Sequence, residues 1–180
     1  QNLRVVARGV DTALFRPDQR SDALRSQWGA SEHSLVLLVV GRLAAEKNLD
    51  VALNSFEAMR KRHGDVKLVF VGDGPLRESL GQRCPQAVFA GMRRHDELAS
   101  YYASADVFLF PSLTETFGNV TVEALASGLP VLAFNTAAAA DWVDHEGNGW
   151  LVPPNDESAF TNAAAQLAVQ PGRIARAAAR

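Results

Sequence analysis

The segment that decides the fold of this chain is residues 108–126, FLFPSLTETFGNVTVEALA. Its apolar start, which ends at Pro111, predicts a buried strand, and the residues from Asn119 to Ser127 predict a helix. The loop between them carries Glu115 and Gly118. In an open α/β sheet, ligands bind beyond the carboxyl ends of the strands, where a helix N-terminus offers unpaired N–H groups to an anion. The segment therefore predicts an anion site between a strand and a helix.

Two carboxylates flank this predicted site. Glu115 lies in the loop, and Glu123 follows eight residues later in the predicted helix. Carboxylates repel a phosphate, but they accept hydrogen bonds from sugar hydroxyl groups that flank the phosphate in a ligand. Ribose, diphosphate and sugar follow one another in that order in a nucleotide-sugar. The pair is therefore interpreted as a grip on a nucleotide-sugar, although a Glu near the start of a helix is also common without a function.

A basic loop follows the most apolar strand, which is predicted at residues 35–40. The loop reads GRLAAEKN over residues 41–48 and carries Arg42 and Lys47. A Lys at a helix N-terminus is unfavourable by the macrodipole argument, so its position indicates that an anion lies between the two basic groups. The alternative is that both are solvated loop residues, with Glu46 as a local partner.

With Gly41, Arg42 and Lys47 upstream, the Glu-x7-Glu pattern resembles the donor-binding domain of the retaining group-1 glycosyltransferases of the GT-B type. The resemblance runs from about Gly9 to Asn155. It implies that Arg42 and Lys47 bind the donor diphosphate and stabilise the leaving nucleoside diphosphate. It also implies that Glu115 contacts the sugar hydroxyls near the reacting face.

The same resemblance supplies the other candidate site residues. It implies that Glu123 accepts hydrogen bonds from the ribose and that the N–H groups near residues 117–120 meet the diphosphate. The candidate catalytic residues are Glu115, Arg42 and Lys47. The candidate nucleotide-sugar-binding residues are Gly41, Gly72, Met92, Arg94, Thr116, Phe117, Gly118, Asn119, Val120 and Glu123.

Three of these assignments have an equally plain alternative, and one stretch departs from the family pattern. Gly72 follows a strand, where a turn glycine is ordinary. Met92 and Arg94 would border the base pocket, or would simply be solvated. The family often shows Gly-Gly-x-x-Glu after the strand at 131–134, whereas this chain has four alanines and Asp141 there. A close backbone contact to the sugar at that place is therefore open to question.

Composition excludes several other classes of function. The net charge of −2 gives no general attraction for nucleic acid. No run of roughly 18 apolar residues suggests a membrane span. Cys84 is the only cysteine, which excludes an internal disulfide and fits a reducing compartment. The spacing of His, Cys and acidic residues predicts no metal site, and no cofactor is expected.

Strands alternate with helices along the chain, which predicts an α/β fold: a doubly wound, Rossmann-like parallel sheet. Residues 1–180 are interpreted as one donor-binding domain, the C-terminal half of a two-domain GT-B enzyme whose N-terminal acceptor domain is absent from this chain. We expect a first strand at Leu3–Ala7, a helix capped by Asn48, and another helix with Pro75 at its first position.

The function predicted is transfer of a sugar from a nucleoside-diphosphate sugar to a lipid or glycan acceptor, by an enzyme of which this fragment alone is inactive. The runs at residues 8–12 and 114–119 look most like those of bacterial mannosyl- or glucosyl-type transferases, and this resemblance implies GDP-mannose as the favoured donor and a UDP-sugar as the second choice. The alternative is a non-catalytic, nucleotide-sugar-binding regulatory module. A dehydrogenase is disfavoured because Arg77 stands where a dinucleotide fingerprint needs glycine. The expected location is the cytoplasm, with attachment at the inner membrane decided by the acceptor half.

Overall fold

The computed structural model describes residues 9–114 and 119–179. Its centre is a six-stranded sheet in which every neighbouring pair is parallel, in the order β3-β2-β1-β4-β5-β6. The strands are β1 (Leu35–Val40), β2 (Val66–Val71), β3 (Val88–Gly91), β4 (Val107–Phe110), β5 (Val131–Phe134) and β6 (Gly149–Val152). This arrangement confirms the predicted doubly wound parallel sheet.

Eight α-helices are assigned within the described residues. They are α1 (Asp22–Gln27), α2 (Leu49–His63), α3 (Arg77–Arg83), α4 (His95–Ser104), α5 (Asn119–Ala126), α6 (Ala137–Trp142), α7 (Glu157–Ala168) and α8 (Pro171–Ala178). Short 3-10 helices precede α1 and α2. In the described part of the chain, no helix has both the length and the apolar character needed to cross a membrane.

The two faces of the sheet carry separate hydrophobic cores, because successive side chains of a strand point to opposite faces. Leu37 and Leu68 pack on the face covered by α2, α7 and α8. Leu38 and Phe108 pack on the opposite face, which α4 and α5 cover. Burial on both faces explains why these strands read as continuous apolar runs rather than as alternating patterns.

Three local expectations had different outcomes. Asn48 does precede α2, but its side chain makes no capping hydrogen bond and its backbone is left-handed, with φ 51°. The expected side-chain cap is therefore wrong, and Asn48 instead turns the chain from a 3-10 helix into α2. Pro75 is not the first helical residue, since α3 begins at Arg77 after Leu76. The expected strand at 3–7 lies outside the described residues.

Asp106 joins the two central strands at their amino ends. The regular pairing of β1 with β4 covers only Leu37 with Val107 and Leu38 with Phe108. Just before it, the Asp106 N–H donates to the Val36 carbonyl oxygen at 2.8 Å, and the Val36 N–H donates to Asp106 Oδ2 at 2.8 Å. One residue thus extends the ladder with its backbone and its side chain together.

Arg25 completes this junction from α1. Its guanidinium donates to Asp106 Oδ2 at 2.9 Å and to the carbonyl oxygens of Ser104 and Ser34 at 2.8 and 2.9 Å. The residue is 4% exposed, so its charge depends on these acceptors rather than on water. The ion pair is therefore part of the packed structure.

We expect Asp106→Ala to lower the free energy of unfolding by about 3–5 kcal/mol, because it leaves the Arg25 charge buried without its partner. Asp18→Ala is the matched control, since Asp18 pairs with Arg16 at 2.8 Å but both side chains are more than half exposed. An exposed pair contributes about 0–1 kcal/mol. Urea unfolding of both variants measures the difference, and equal effects would contradict this account of the junction.

Candidate donor-binding site

The candidate site lies where the order of the strands reverses, between β1 and β4. The chain winds outward from this point in both directions, so the loops after the two strands separate and leave a crevice at their carboxyl ends. One wall is formed by Gly41, Arg42 and Lys47, and the other by the β4 end with Pro111 and Ser112. The structure therefore brings together the basic loop and the first half of the segment that decided the fold.

Arg42 is presented to solvent at this crevice. Its side chain is 69% exposed, and its ion pair with Glu46 is long, at 3.7 Å. An exposed pair at this distance contributes little free energy, so an anion of higher charge can replace Glu46. Lys47 lies close by at the end of the 3-10 helix Ala45–Lys47. The two cations thus border one side of the crevice.

The basic loop is held against the loop that follows β2. The Gly41 N–H donates to the Val71 carbonyl oxygen, and the Leu43 N–H donates to that of Asp73, each at 2.9 Å. The Leu76 N–H donates to the Leu43 carbonyl oxygen at 2.9 Å. These backbone bonds fix the path of residues 41–43, and with it the position of Arg42.

Glycines of the second loop make this contact possible. A Cβ atom on Gly72 would collide with the carbonyl oxygen of Gly41, and Gly72 has φ 133°, which other residues rarely adopt. A Cβ atom on Gly74 would lie 2.5 Å from the Leu43 carbonyl oxygen. The packing of the two loops therefore gives a physical reason for glycine at both positions. A nucleotide contact at Gly72 stays a prediction.

We expect Gly74→Ala to destabilise the chain by about 1–3 kcal/mol, as other overpacking substitutions do, because the new methyl group would meet the Leu43 backbone. Gly81→Ala is the control. Gly81 lies within α3, and its added Cβ would meet only a Phe89 ring carbon at 3.9 Å, so helix propensity should stabilise that variant by about 0.5–1 kcal/mol. Thermal unfolding of the two proteins should show shifts of opposite sign.

Glu123 lies on α5, and Tyr102 of α4 holds one of its oxygens. The Tyr102 hydroxyl donates to Glu123 Oε2 at 3.0 Å. Glu123 is half-buried and borders a small pocket of about 90 Å³, together with Asn119, Val122, Phe15 and residues 9–11. The carboxylate thus has a protein donor on one side and an open pocket beside it.

Burial raises the pKa of Glu123 above its usual value, and the hydrogen bond from Tyr102 opposes part of that rise. The pKa of Tyr102 is also raised, first by its burial and then by the neighbouring Glu123 charge. Tyr102 therefore keeps its proton near neutral pH and acts as a donor. The ionised Glu123 costs folding free energy, which is typical of a carboxylate kept for binding rather than for stability.

We expect Glu123→Gln to raise the free energy of unfolding at pH 7 and to have a smaller effect at pH 4. A raised folded-state pKa favours folding fully below the unfolded value of about 4.3, and that contribution is lost as the pH rises through the folded-state value. Glutamine cannot ionise, so the Glu123→Gln protein does not lose this stability as the pH rises. Urea unfolding of both proteins at the two pH values tests it, and an unchanged difference would mean that burial of Glu123 is not costly.

The remaining candidate residues lie at different distances from the crevice between β1 and β4. Asn119 and Val120 open α5, at the predicted place, whereas Glu115 and residues 116–118 lie outside the described residues. Met92 and Arg94 follow β3, two strands away from β1, and both are exposed. They are not brought to the crevice between β1 and β4, but they lie at the same edge of the sheet.

Sequence reasoning did not single out Tyr102 or Phe15 as parts of the site. Tyr102 is 21 residues from Glu123 and lies in another helix, so no local pattern connects them. Asp11, which no functional pattern in the sequence marks, also borders the Glu123 pocket. Its Oδ1 accepts from the Ala13 N–H at 2.9 Å, a bond that helps to hold the loop of residues 9–11 beside the pocket. Within residues 9–114 and 119–179, no three potential ligand side chains group as a metal site.

Comparison with known proteins identifies the family. The profile described as "Glycosyl transferases group 1" matches residues 34–170, which include both walls of the crevice and Glu123. The chain belongs to this family. The resemblance seen in the sequence is therefore confirmed at the level of the group 1 glycosyltransferases.

Relatives with specific names show which glycosyltransferases this chain resembles. The GDP-mannose-dependent alpha-mannosyltransferase of Mycobacterium tuberculosis is 42% identical over 175 residues, which is 97% of this chain and 45% of the relative. The sulfoquinovosyl transferase of Arabidopsis thaliana is 38% identical over 160 residues, 86% of this chain and 31% of the relative. The chain thus spans less than half the length of these glycosyltransferases.

Solved structures show the same fold. The C-terminal domain of a group 1 glycosyl transferase from Francisella tularensis matches with a TM-score of 0.78 at 22% identity, covering 94% of this chain and 93% of that domain. Anabaena HepE, solved in complex with UDP and glucose, matches with a TM-score of 0.80 at 25% identity, covering 97% of this chain and half of HepE. The glycosyltransferase domain described here therefore has the fold of a GT-B C-terminal domain.

Proposed function

We propose that this chain is the donor-binding half of a retaining glycosyltransferase that transfers a sugar from a nucleoside-diphosphate sugar to a lipid or glycan acceptor. The observation that carries the proposal is the crevice at the strand-order reversal, where Arg42 and Lys47 lie opposite the end of β4. The chain then leads from β4 to the N-terminus of α5. Two cations beside the crevice suit a diphosphate, and the N–H groups at the N-terminus of α5 are proposed to complete its binding site.

GDP-mannose is the favoured donor. The support is the M. tuberculosis relative, whose name specifies GDP-mannose and whose identity with this chain is 42% over nearly its whole length. A UDP-sugar is the second choice, supported by the likeness to HepE in its complex with UDP and glucose. In either case Met92 and Arg94, at the end of β3, are proposed to border the base, and Gly72 and Gly41 to lie near the nucleotide.

The proposed roles follow the chemistry of each side chain. Arg42 grips the diphosphate with two parallel N–H groups, whereas Lys47 supplies a compact point charge. Both offset the negative charge that grows on the leaving group as the sugar–phosphate bond breaks. Asn119 and Val120 contribute backbone N–H groups at the start of α5, together with those of Thr116, Phe117 and Gly118, which precede the helix in the sequence. Glu115 is assigned to the sugar hydroxyls and Glu123 to the ribose.

Retention of configuration is proposed to follow from attack on the same face that the diphosphate leaves. The bond from the anomeric carbon to the diphosphate oxygen breaks, and the acceptor oxygen forms its bond on that face. The acceptor proton then passes to a departing phosphate oxygen. The acceptor would be held by a second domain across the crevice, which also would decide attachment at a membrane surface. We propose that this chain by itself binds the donor but does not transfer the sugar.

We expect the chain to bind GDP with a dissociation constant between about 1 μM and 1 mM, the range in which enzyme Michaelis constants typically fall. Arg42→Ala should weaken that binding about 10-fold or more, because a charge-assisted hydrogen bond contributes about 1.5–3 kcal/mol. Calorimetric titration with GDP, UDP, GDP-mannose and UDP-glucose measures both effects and identifies the base.

Arg62→Ala is the matched control for this experiment. Arg62 is exposed near the end of α2, at the amino-end side of the sheet and away from the crevice. Its removal makes the net charge of the chain more negative by one unit, as Arg42→Ala does, and should leave the affinity for GDP within about twofold. Equal loss in the two variants would indicate a general charge effect, and no binding of any nucleotide would overturn the proposed donor site.

A further inference from the structure

We infer that Tyr102 is a positioning residue that orients the Glu123 carboxylate toward the ribose of the donor nucleotide. The inference rests on the proposed function, in which Glu123 accepts hydrogen bonds from the ribose. It adds a residue from a different helix, buried beneath the site, that makes no contact with the nucleotide itself. Its effect on binding passes through Glu123.

The contact between the two side chains is a single directed hydrogen bond. The Tyr102 hydroxyl donates to Glu123 Oε2 at 3.0 Å. Tyr102 is 0% exposed, so water cannot replace this acceptor. A buried hydroxyl without a partner is costly, and a bond to an ionised acceptor is stronger than one between neutral groups. Rotation of Glu123 away from this position would therefore lose the bond and leave the hydroxyl unpaired.

The tyrosine ring cannot follow such a rotation, because two phenylalanine rings hold it. Phe15 lies edge-on to the ring with centroids 5.9 Å apart, and Phe108 of β4 lies edge-on from another side at 5.8 Å. Both phenylalanines are themselves buried. The packing of the core therefore fixes the position of the Tyr102 hydroxyl, and the hydrogen bond from this hydroxyl fixes the position of Glu123 Oε2.

The carboxylate also faces an opening. The pocket beside Glu123 has a volume of about 90 Å³ and is bordered by Asn119, Val122 and the loop of residues 9–11. Among the described residues, Tyr102 is the only side chain that gives Glu123 a hydrogen bond. With Oε2 held from the core side, Oε1 is the oxygen left to accept from a ligand. A pair of neighbouring hydroxyl groups, as on ribose, donates the bonds that such a carboxylate accepts.

Preorganisation is the physical gain from this arrangement. A Glu side chain that is free to rotate must be ordered when the ligand binds, and that ordering weakens the affinity. A carboxylate already held in the binding orientation avoids the cost. The gain applies only to ligands that carry the ribose hydroxyls. Tyr102 should therefore affect the preference for ribose, and not the affinity for the diphosphate or the base.

The test compares GDP with 2′,3′-dideoxy-GDP by calorimetric titration of the unaltered chain, Tyr102→Phe, Glu123→Ala and the double variant. A domain of the same extent has been crystallised by itself in this family, so the chain can be studied alone. We expect the unaltered chain to prefer GDP at least tenfold. Tyr102→Phe should reduce this preference several-fold, change the affinity for dideoxy-GDP less than twofold, and have no further effect once Glu123 is Ala.

Tyr101→Phe is the matched control. Tyr101 is the neighbouring tyrosine of α4, and its hydroxyl accepts from Arg93 Nε at 3.2 Å instead of meeting Glu123. Its removal should leave the preference for ribose unchanged. A second measurement needs no variant: the hydroxyl proton of Tyr102 in NMR spectra should shift on binding of GDP and keep its position on binding of dideoxy-GDP.

The outcomes separate this inference from the proposed function. If the unaltered chain binds neither nucleotide, or binds both equally, the assignment of Glu123 to the ribose fails and the inference fails with it. If the unaltered chain prefers GDP but Tyr102→Phe keeps that preference, only the inference is overturned. An equal loss for both nucleotides would also overturn it, since that result would show a role in packing alone.

Discussion

The structure depends on the way in which Asp106 joins β1 to β4. The backbone N–H and the carboxylate of Asp106 both form hydrogen bonds with Val36, and Arg25 of α1 neutralises the charge of that carboxylate. The junction lies at the amino ends of the two strands, where the regular ladder is short. Because the strands are held there, the chain is free to diverge at their carboxyl ends. The crevice that follows is a consequence of the reversal in strand order, and Arg42 and Lys47 lie beside it.

The two ends of the sheet therefore use charge in opposite ways. At the amino end, Arg25 is buried and its hydrogen bonds are satisfied within the protein. At the carboxyl end, Arg42 is exposed and held only loosely by Glu46. The loop that carries Arg42 is nevertheless held in place by backbone hydrogen bonds and by close packing against Gly72 and Gly74. An exposed charge on a fixed backbone is well suited to bind a ligand, because little ordering remains to be done.

Glu123 connects the hydrophobic core to the candidate site. Its carboxylate is half-buried, and burial raises its pKa, so its ionised form reduces the stability of the fold. Tyr102 offsets part of this cost and at the same time selects one orientation. The aromatic contacts of Tyr102 with Phe15 and Phe108 connect that orientation to the packing between α4 and the sheet. Stability and the proposed binding of ribose thus depend on one pair of side chains.

The sequence by itself determined the fold class, most of the elements and the positions of the basic loop and α5, because apolar runs and helical periods are local properties. It did not determine the left-handed turn at Asn48, which follows directly on a 3-10 helix, or the start of α3, where the Leu76 N–H bonds to the Leu43 carbonyl oxygen of another loop. Only the tertiary structure decided that Gly72 and Gly74 pack on the Arg42 loop, and that Tyr102 meets Glu123. Those contacts join residues that are distant along the chain, and only the folded parallel sheet brings them together.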